Sequence, residues 1–246
     1  MDSAERHVND HRAKALQRFP RHERRGEARL PAVLATLTAV LLYLALPEQL
    51  LLVPRFVLPA LEVLLLIPLI AVNPRRMTRQ NRFSRILSLV LVALIGISNL
   101  VSLGLLVEAM VTSKAQEGGP LLLAALQVWA TSIIVFGLAF WELDRGGPVV
   151  RTQADRSELP LADFRFSQDE NDDAVEEVAD SSSRTSDWVP TLMDYLYVSV
   201  TNSTAFSPTD TMPLSTRAKA LMAIESIAAL ITSLLVIAHA VGVLDQ

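Results

Sequence analysis

Five apolar runs, at 31–46, 53–72, 86–107, 120–141 and 220–244, constrain this chain more than any other feature, because the segments between them hold nearly all of its charge. Stretches of about 20 apolar residues match a hydrocarbon core of roughly 30 Å. The runs therefore read as membrane spans. They predict an all-α fold, a polytopic transmembrane helix bundle of about five spans, with a short re-entrant or interfacial helix before the last. Apolar residues make up 51% of the 246, and their segregation, more than their total, separates the chain from an ordinary soluble domain.

Charge sets the expected orientation. The loop Asn73 to Arg85 carries Arg75, Arg76, Arg79, Arg82 and Arg85 and no acid, a strong signal for the cytoplasmic side. Residues 1–30 carry a further set of arginines among scattered acids and read as a basic cytoplasmic tail, a solvated arm that buries nothing, with attraction to anionic headgroups as the lesser reading. No small-x-small cleavage site follows the first run, where Tyr43-Leu44-Ala45 offers a bulky residue, so that run reads as a retained span. Its expected location is the bacterial cytoplasmic (inner) membrane, multi-pass, with the N-terminus in the cytoplasm.

Four segments follow: the tail 1–30, a four-helix transmembrane region 31–142 ending at an interfacial Trp141, an acidic linker 143–187, and a final unit 188–246. The linker opens on the helix-breaking Gly146-Gly147-Pro148, then gathers Asp169, Glu170, Asp172, Asp173, Glu176, Glu177 and Asp180 ahead of three serines. That composition predicts disorder, or else a vestibule that attracts cations. In the final unit the stretch Leu192 to Val200 is too short to span, and the polar, proline-broken turn after it cannot lie bare in lipid. A last helix is expected from about Thr216 to Val243.

Intramembrane polar residues are the candidates for function. Glu62, near the middle of the second run, costs on the order of 2.5–3.5 kcal/mol on insertion scales if charged, and reads equally as a functional carboxylate or as a neutral carboxyl bonded to a neighbouring helix. Glu225, Thr232 and His239 recur every seven residues and so share one face of the last helix, beside the small residues Ala223, Ser226, Ala229, Ser233 and Ala240. Such a face lines a cavity or packs a seam. Ser98 and Ser102 in the third run, and Gln127, Thr131 and Ser132 in the fourth, read as close helix packing. Cysteine is absent, and the histidines offer no metal pair outside the tail, where His7 and His11 have helical spacing without a scaffold. No nucleophile elbow or phosphate-cradling glycine loop occurs, so no enzyme, cofactor, metal site or nucleic-acid partner is expected.

The order of aromatic short helix, Ser/Thr-rich turn, aspartate and long helix over 188–243 resembles the pore-loop module of tetrameric potassium-type cation channels. Its filter would correspond here to Ser203 through Asp210, and the resemblance implies Thr204, Ser207, Thr209 and Asp210 as filter or mouth groups. This turn has no glycine and carries Pro208, whereas a potassium filter relies on glycines to aim its carbonyls. The phrase Asn202 to Ser215 is also similar to the tail of uncharacterised bacterial, actinobacterial-type, polytopic inner-membrane proteins. The expectation is a cation channel or transporter subunit, homo-oligomeric in the lipid bilayer and passing a monovalent cation. The alternative is a non-transporting adaptor or sensor that binds partners through its tail and acidic linker. In a third reading Asp210 and Thr209 simply cap the last helix.

Overall fold

Proline and capping residues decide where these apolar runs become helix. A computed structural model describes residues 25–112, 118–169, 188–204 and 211–244. Helix α1 spans Leu30–Leu44, with Pro31 in its first turn, where a missing N–H costs nothing. Helix α2 spans Val57–Val72 and follows Pro54; Pro59 falls in its first turn, and Pro68 is the only proline in its interior. Helix α3, Arg82–Thr112, begins at a reciprocal cap in which Ser84 N donates to Asn81 Oδ1 at 2.7 Å and Asn81 N donates to Ser84 Oγ at 3.1 Å. Helix α4 spans Gly118–Leu143, and the short α5 spans Pro148–Gln153. Helix α6, Leu192–Thr204, is capped by Asp194 Oδ2, which accepts from Thr191 N and Oγ1 at 2.7 and 2.8 Å. Helix α7, Thr216–Leu244, starts under Ser215 Oγ, which accepts from Ala218 N at 3.1 Å.

Among these, α3, α4 and α7 are long and apolar enough to cross a membrane, while α1 and α2, at 15 and 16 residues, are shorter apolar helices. The expected runs 31–46 and 53–72 are cut down because Pro47 and Pro54 bracket a 3-10 turn at Glu48–Leu50 and leave the chain irregular until Val57.

Helix α4 is central, packing against α1, α3, α6 and α7. Two apolar cores result. One, around Leu46, Leu50, Leu106, Leu121 and Val128, fills the end where α1 finishes and α4 begins. The other, around Leu69, Met77, Phe140, Trp141, Phe164 and Tyr195, fills the opposite end. Large apolar side chains on the outside, such as Leu34, Leu64, Ile97, Leu126 and Ile237, stay exposed, an outer surface suited to lipid rather than to water.

The second end is polar. Here β1 (Glu27–Ala28) pairs antiparallel with β2 (Arg76–Met77), and β3 (Phe164–Phe166) with β4 (Thr211–Pro213), in the register Phe164 to Pro213 and Phe166 to Thr211. Two expectations are corrected at this end. The tail does bury residues, since Arg29 is 8% exposed and Glu27 accepts from Trp141 Nε1 at 2.9 Å and from Leu192 N at 2.7 Å. Nor is 143–187 disordered from its start: residues 144–169 are folded, with Asp144, Arg151 and Phe164 buried. Aromatic packing anchors them, Phe164 lying 5.0 Å from Phe140 and Phe166 lying 5.3 Å from Tyr195 between ring centroids. The acidic residues from Glu170 to Asp180 lie outside the described residues.

Close approach of α6 to α4 depends on Gly137. A Cβ there would stand 2.7 Å from Leu196 Cδ2 and 3.2 Å from Leu196 Cα, so backbone as well as side chain would have to move. Gly137→Val is expected to cost about 1–3 kcal/mol, read as a lower Tm in detergent, while valine at the looser Gly104, where nothing lies within 4 Å, leaves Tm unchanged.

Candidate functional site

Helix α6 enters the bundle from the polar end and stops inside it. Its first residue is tied to Glu27 and its Tyr195 to Asp144, whereas one turn later Ser199 Oγ donates to Ile133 O at 2.8 Å. Ile133 lies ten residues before the end of α4, about 15 Å along the helix axis. Glu225 lies nine residues past the start of α7, about 14 Å from the same end. Thr211 is back at the polar end, paired with Phe166. Helix α6 thus starts at the polar end and ends beside the interior of α7, while Thr211 lies again at the polar end.

At the inner end of α6, Ser199, Asn202 and Ser203 occupy i, i+3 and i+4 and so face one way. All three bond Glu225 of α7, Ser199 with a hydroxyl whose one proton is shared with Ile133 O. Asn202 Nδ2 reaches Oε2 at 2.7 Å, Ser203 Oγ reaches Oε1 at 3.0 Å, and Ser199 Oγ also bonds Oε1. Asn202 further donates to Met222 O and accepts from Ser226 Oγ, each at 3.0 Å. Glu225 is fully buried, and no Lys or Arg pairs with it among the described residues. It sits beside the C-terminal turns of α6, where helix carbonyls repel a negative charge. Burial and the negative dipole end of α6 disfavour a bare negative charge here and so favour a proton or a bound cation, while the neutral donors act in the opposite sense by stabilising the carboxylate.

Glu62 on α2 is 1% exposed, and its Oε2 has no hydrogen-bond partner. No hydrogen bond links it to Glu225. Thr232 is buried on the Glu225 face but bonds back to Ala228 O at 2.8 Å within its own helix. Thr204 is exposed and likewise bonds back, to Val200 O at 2.8 Å. Ser207, Thr209 and Asp210 lie outside the described residues, as does the His239 side chain. The shared face of α7 is thus half realised: Glu225, Ala229 and Thr232 point into the protein, and Ala223 points out. In the third and fourth runs the close-packing expectation holds, with Asn99 Nδ2 donating to Ser132 Oγ at 2.7 Å across α3 and α4.

A charged network at the polar end holds α6 in place. Arg151 is fully buried; its Nη1 donates to Trp141 O at 2.7 Å and Asp144 O at 3.2 Å, its Nε to Pro190 O at 3.0 Å, and its Nη2 meets Glu27 Oε2 at 3.5 Å. Its guanidinium also lies 4.8 Å from the Tyr195 ring centroid. Asp144 accepts from Tyr195 Oη at 2.5 Å, Asp163 N at 2.7 Å and Phe164 N at 3.3 Å. Asp163 in turn receives Arg217 Nε at 2.7 Å and Nη2 at 2.5 Å, together with Ser215 Oγ. Arg85 and Ser88 both bond Glu142.

No family model, curated protein or solved structure matches this chain. The site therefore has to be read from its own geometry. Sequence reasoning singled out Glu225 but missed Ser199 and Asn202, although their i, i+3 spacing with Ser203 was visible. It missed Arg151, Asp144 and Asp163 because a region judged unfolded offers no partners to look for.

Proposed function

We propose that this is a multi-pass protein of the bacterial cytoplasmic membrane that moves a monovalent cation, protons included, with Glu225 as the group that holds it. One observation carries the reading: a fully buried carboxylate, without a basic partner among the described residues, set against the inner end of the short helix α6. Discontinuous helices whose ends meet an ion near the midplane are a recurring transporter device, and intramembrane carboxylates are functional by default. Glu62, with its unpartnered oxygen, is a second station on the same route.

Five crossings fit this reading. Helices α1 and α2 are about 22 and 24 Å long, each with one end at the polar end and the other at the Leu46–Leu50 turn, so each traverses most of a bilayer. The arginines of 75–85 and the basic tail support a cytoplasmic polar end and N-terminus. A single re-entrant unit per chain encloses a path only in several copies, so a homo-oligomer is part of the proposal.

Purified protein in liposomes is expected to pass H⁺, Na⁺ or K⁺. Glu225→Gln keeps the shape and an acceptor oxygen while removing the charge, and is expected to lower flux at least tenfold at a stability cost of about 1–3 kcal/mol, because its amide would face Asn202 Nδ2. Unchanged flux in Glu225→Gln would remove Glu225 from the path. No flux of any of the three ions would leave the adaptor reading, with the tail and acidic segment as its binding parts.

A further inference from the structure

We propose that the cleft around Arg29 at the polar end binds a phosphate group, carried by an anionic phospholipid headgroup or free in solution. The cleft has a volume of about 30 Å³ and is lined by Arg29, Arg79 and Arg85, with Asn73, Gln80, Ser84, Ser88 and Glu142 among the other groups on its walls. That space exceeds what one water needs. Three guanidiniums against one carboxylate leave two positive charges for an anion to answer, and Glu142 is already engaged by Arg85 and Ser88.

Arg29 is the second, independent pointer. It is more than nine-tenths buried, its Nη1 meets only the Met77 sulfur, at 3.4 Å, and its Nε has no hydrogen-bond partner. A buried guanidinium with a free N–H is costly, and a phosphate oxygen is the acceptor whose charge and geometry suit it. Burial pulls the Arg29 pKa below its ordinary value, with Glu142 pulling it back, and an anion in the cleft would act in the same sense as Glu142. Exposed Leu30, Phe83 and Ile86 flank the cleft's arginines in sequence, which gives a lipid-borne phosphate somewhere to lay its chains.

Full-length protein in neutral detergent would be titrated, at constant ionic strength, with phosphatidylglycerol, with diacylglycerol of the same chains, and with inorganic phosphate, reading Tm and bound ligand by native mass spectrometry. Saturable binding of phosphatidylglycerol but not diacylglycerol is expected. Arg29→Gln and Arg79→Gln should each raise its Kd about tenfold, and Arg75→Gln, an exposed arginine outside the cleft, should change it less than twofold. If Arg29→Gln does not fold, the exposed Arg79→Gln carries the comparison. Inorganic phosphate raising Tm with the same arginine dependence assigns the site to free phosphate; protection by the lipid alone assigns it to the headgroup. Equal retention of diacylglycerol, no saturable binding of either phosphate source, or an Arg75→Gln loss as large as the Arg79→Gln loss would overturn the proposal.

Discussion

Replacing Arg151 with leucine is expected to lower the Tm in detergent by on the order of 10 °C, the largest single effect of any substitution outside the apolar cores. The guanidinium is fully buried and serves three carbonyls and a carboxylate drawn from three separate segments of chain. Leucine matches much of its bulk but leaves Trp141 O and Pro190 O without this donor and takes the cation away from Glu27, which keeps only the neutral donors Trp141 Nε1 and Leu192 N. Breaking one partner of a buried charged network costs about 3–5 kcal/mol, and a chain of this size shifts by about 2–4 °C per kcal/mol. Arg151→Lys separates charge from geometry. A lysine restores the charge near Glu27 but cannot fork to carbonyls on both sides, so it should recover only a minor part of the loss. Thermal unfolding of the three proteins checks this, and a Leu variant melting with the parent would show that the network contributes nothing to stability.

Asp144→Ala is expected to cost nearly as much, for the opposite reason that it orphans donors. Tyr195 Oη, Asp163 N and Phe164 N all point at this one carboxylate, and each buried donor left unpaired costs about 1–3 kcal/mol. Tyr195→Phe removes a single donor with its hydroxyl and should cost about 1 kcal/mol. In the double variant the tyrosine change should be nearly free, since its acceptor is already gone, giving a coupling of about 1 kcal/mol in a double-mutant cycle. Additive losses would mean that the Tyr195 hydroxyl does not depend on Asp144. Loss of this anchor frees both β3 and the start of α6, so cation flux should fall with stability in Asp144→Ala, whereas Glu225→Gln should lose flux out of proportion to its smaller loss of stability.

Much of the candidate site was legible in sequence, and the remainder was not for a definite reason. Glu225 stands out because an acid amid apolar residues is conspicuous wherever it packs, and Glu62 stands out in the same way. Ser199 and Asn202 do not, since small polar residues in a helix are ordinary until the helix opposite them is known. Thr232 illustrates the converse. Its heptad relation to Glu225 is real, yet its hydroxyl is spent on the carbonyl one turn back, a local option that periodicity cannot distinguish from an outward-facing group.

The amino-acid sequence by itself determined that the chain is helical, that long apolar segments alternate with charged ones, and that an incomplete helix precedes the last; these follow from local composition, proline positions and the length of an apolar run. Only the tertiary structure decided that the stretch after Glu142 is folded, that Arg151 is buried within it, and that the short helix brings three polar side chains to Glu225. A charge of either sign looks solvated in isolation. Whether it is instead buried depends on partners such as Glu27 and Pro190, far away along the chain, and on carbonyls whose direction no side-chain pattern records.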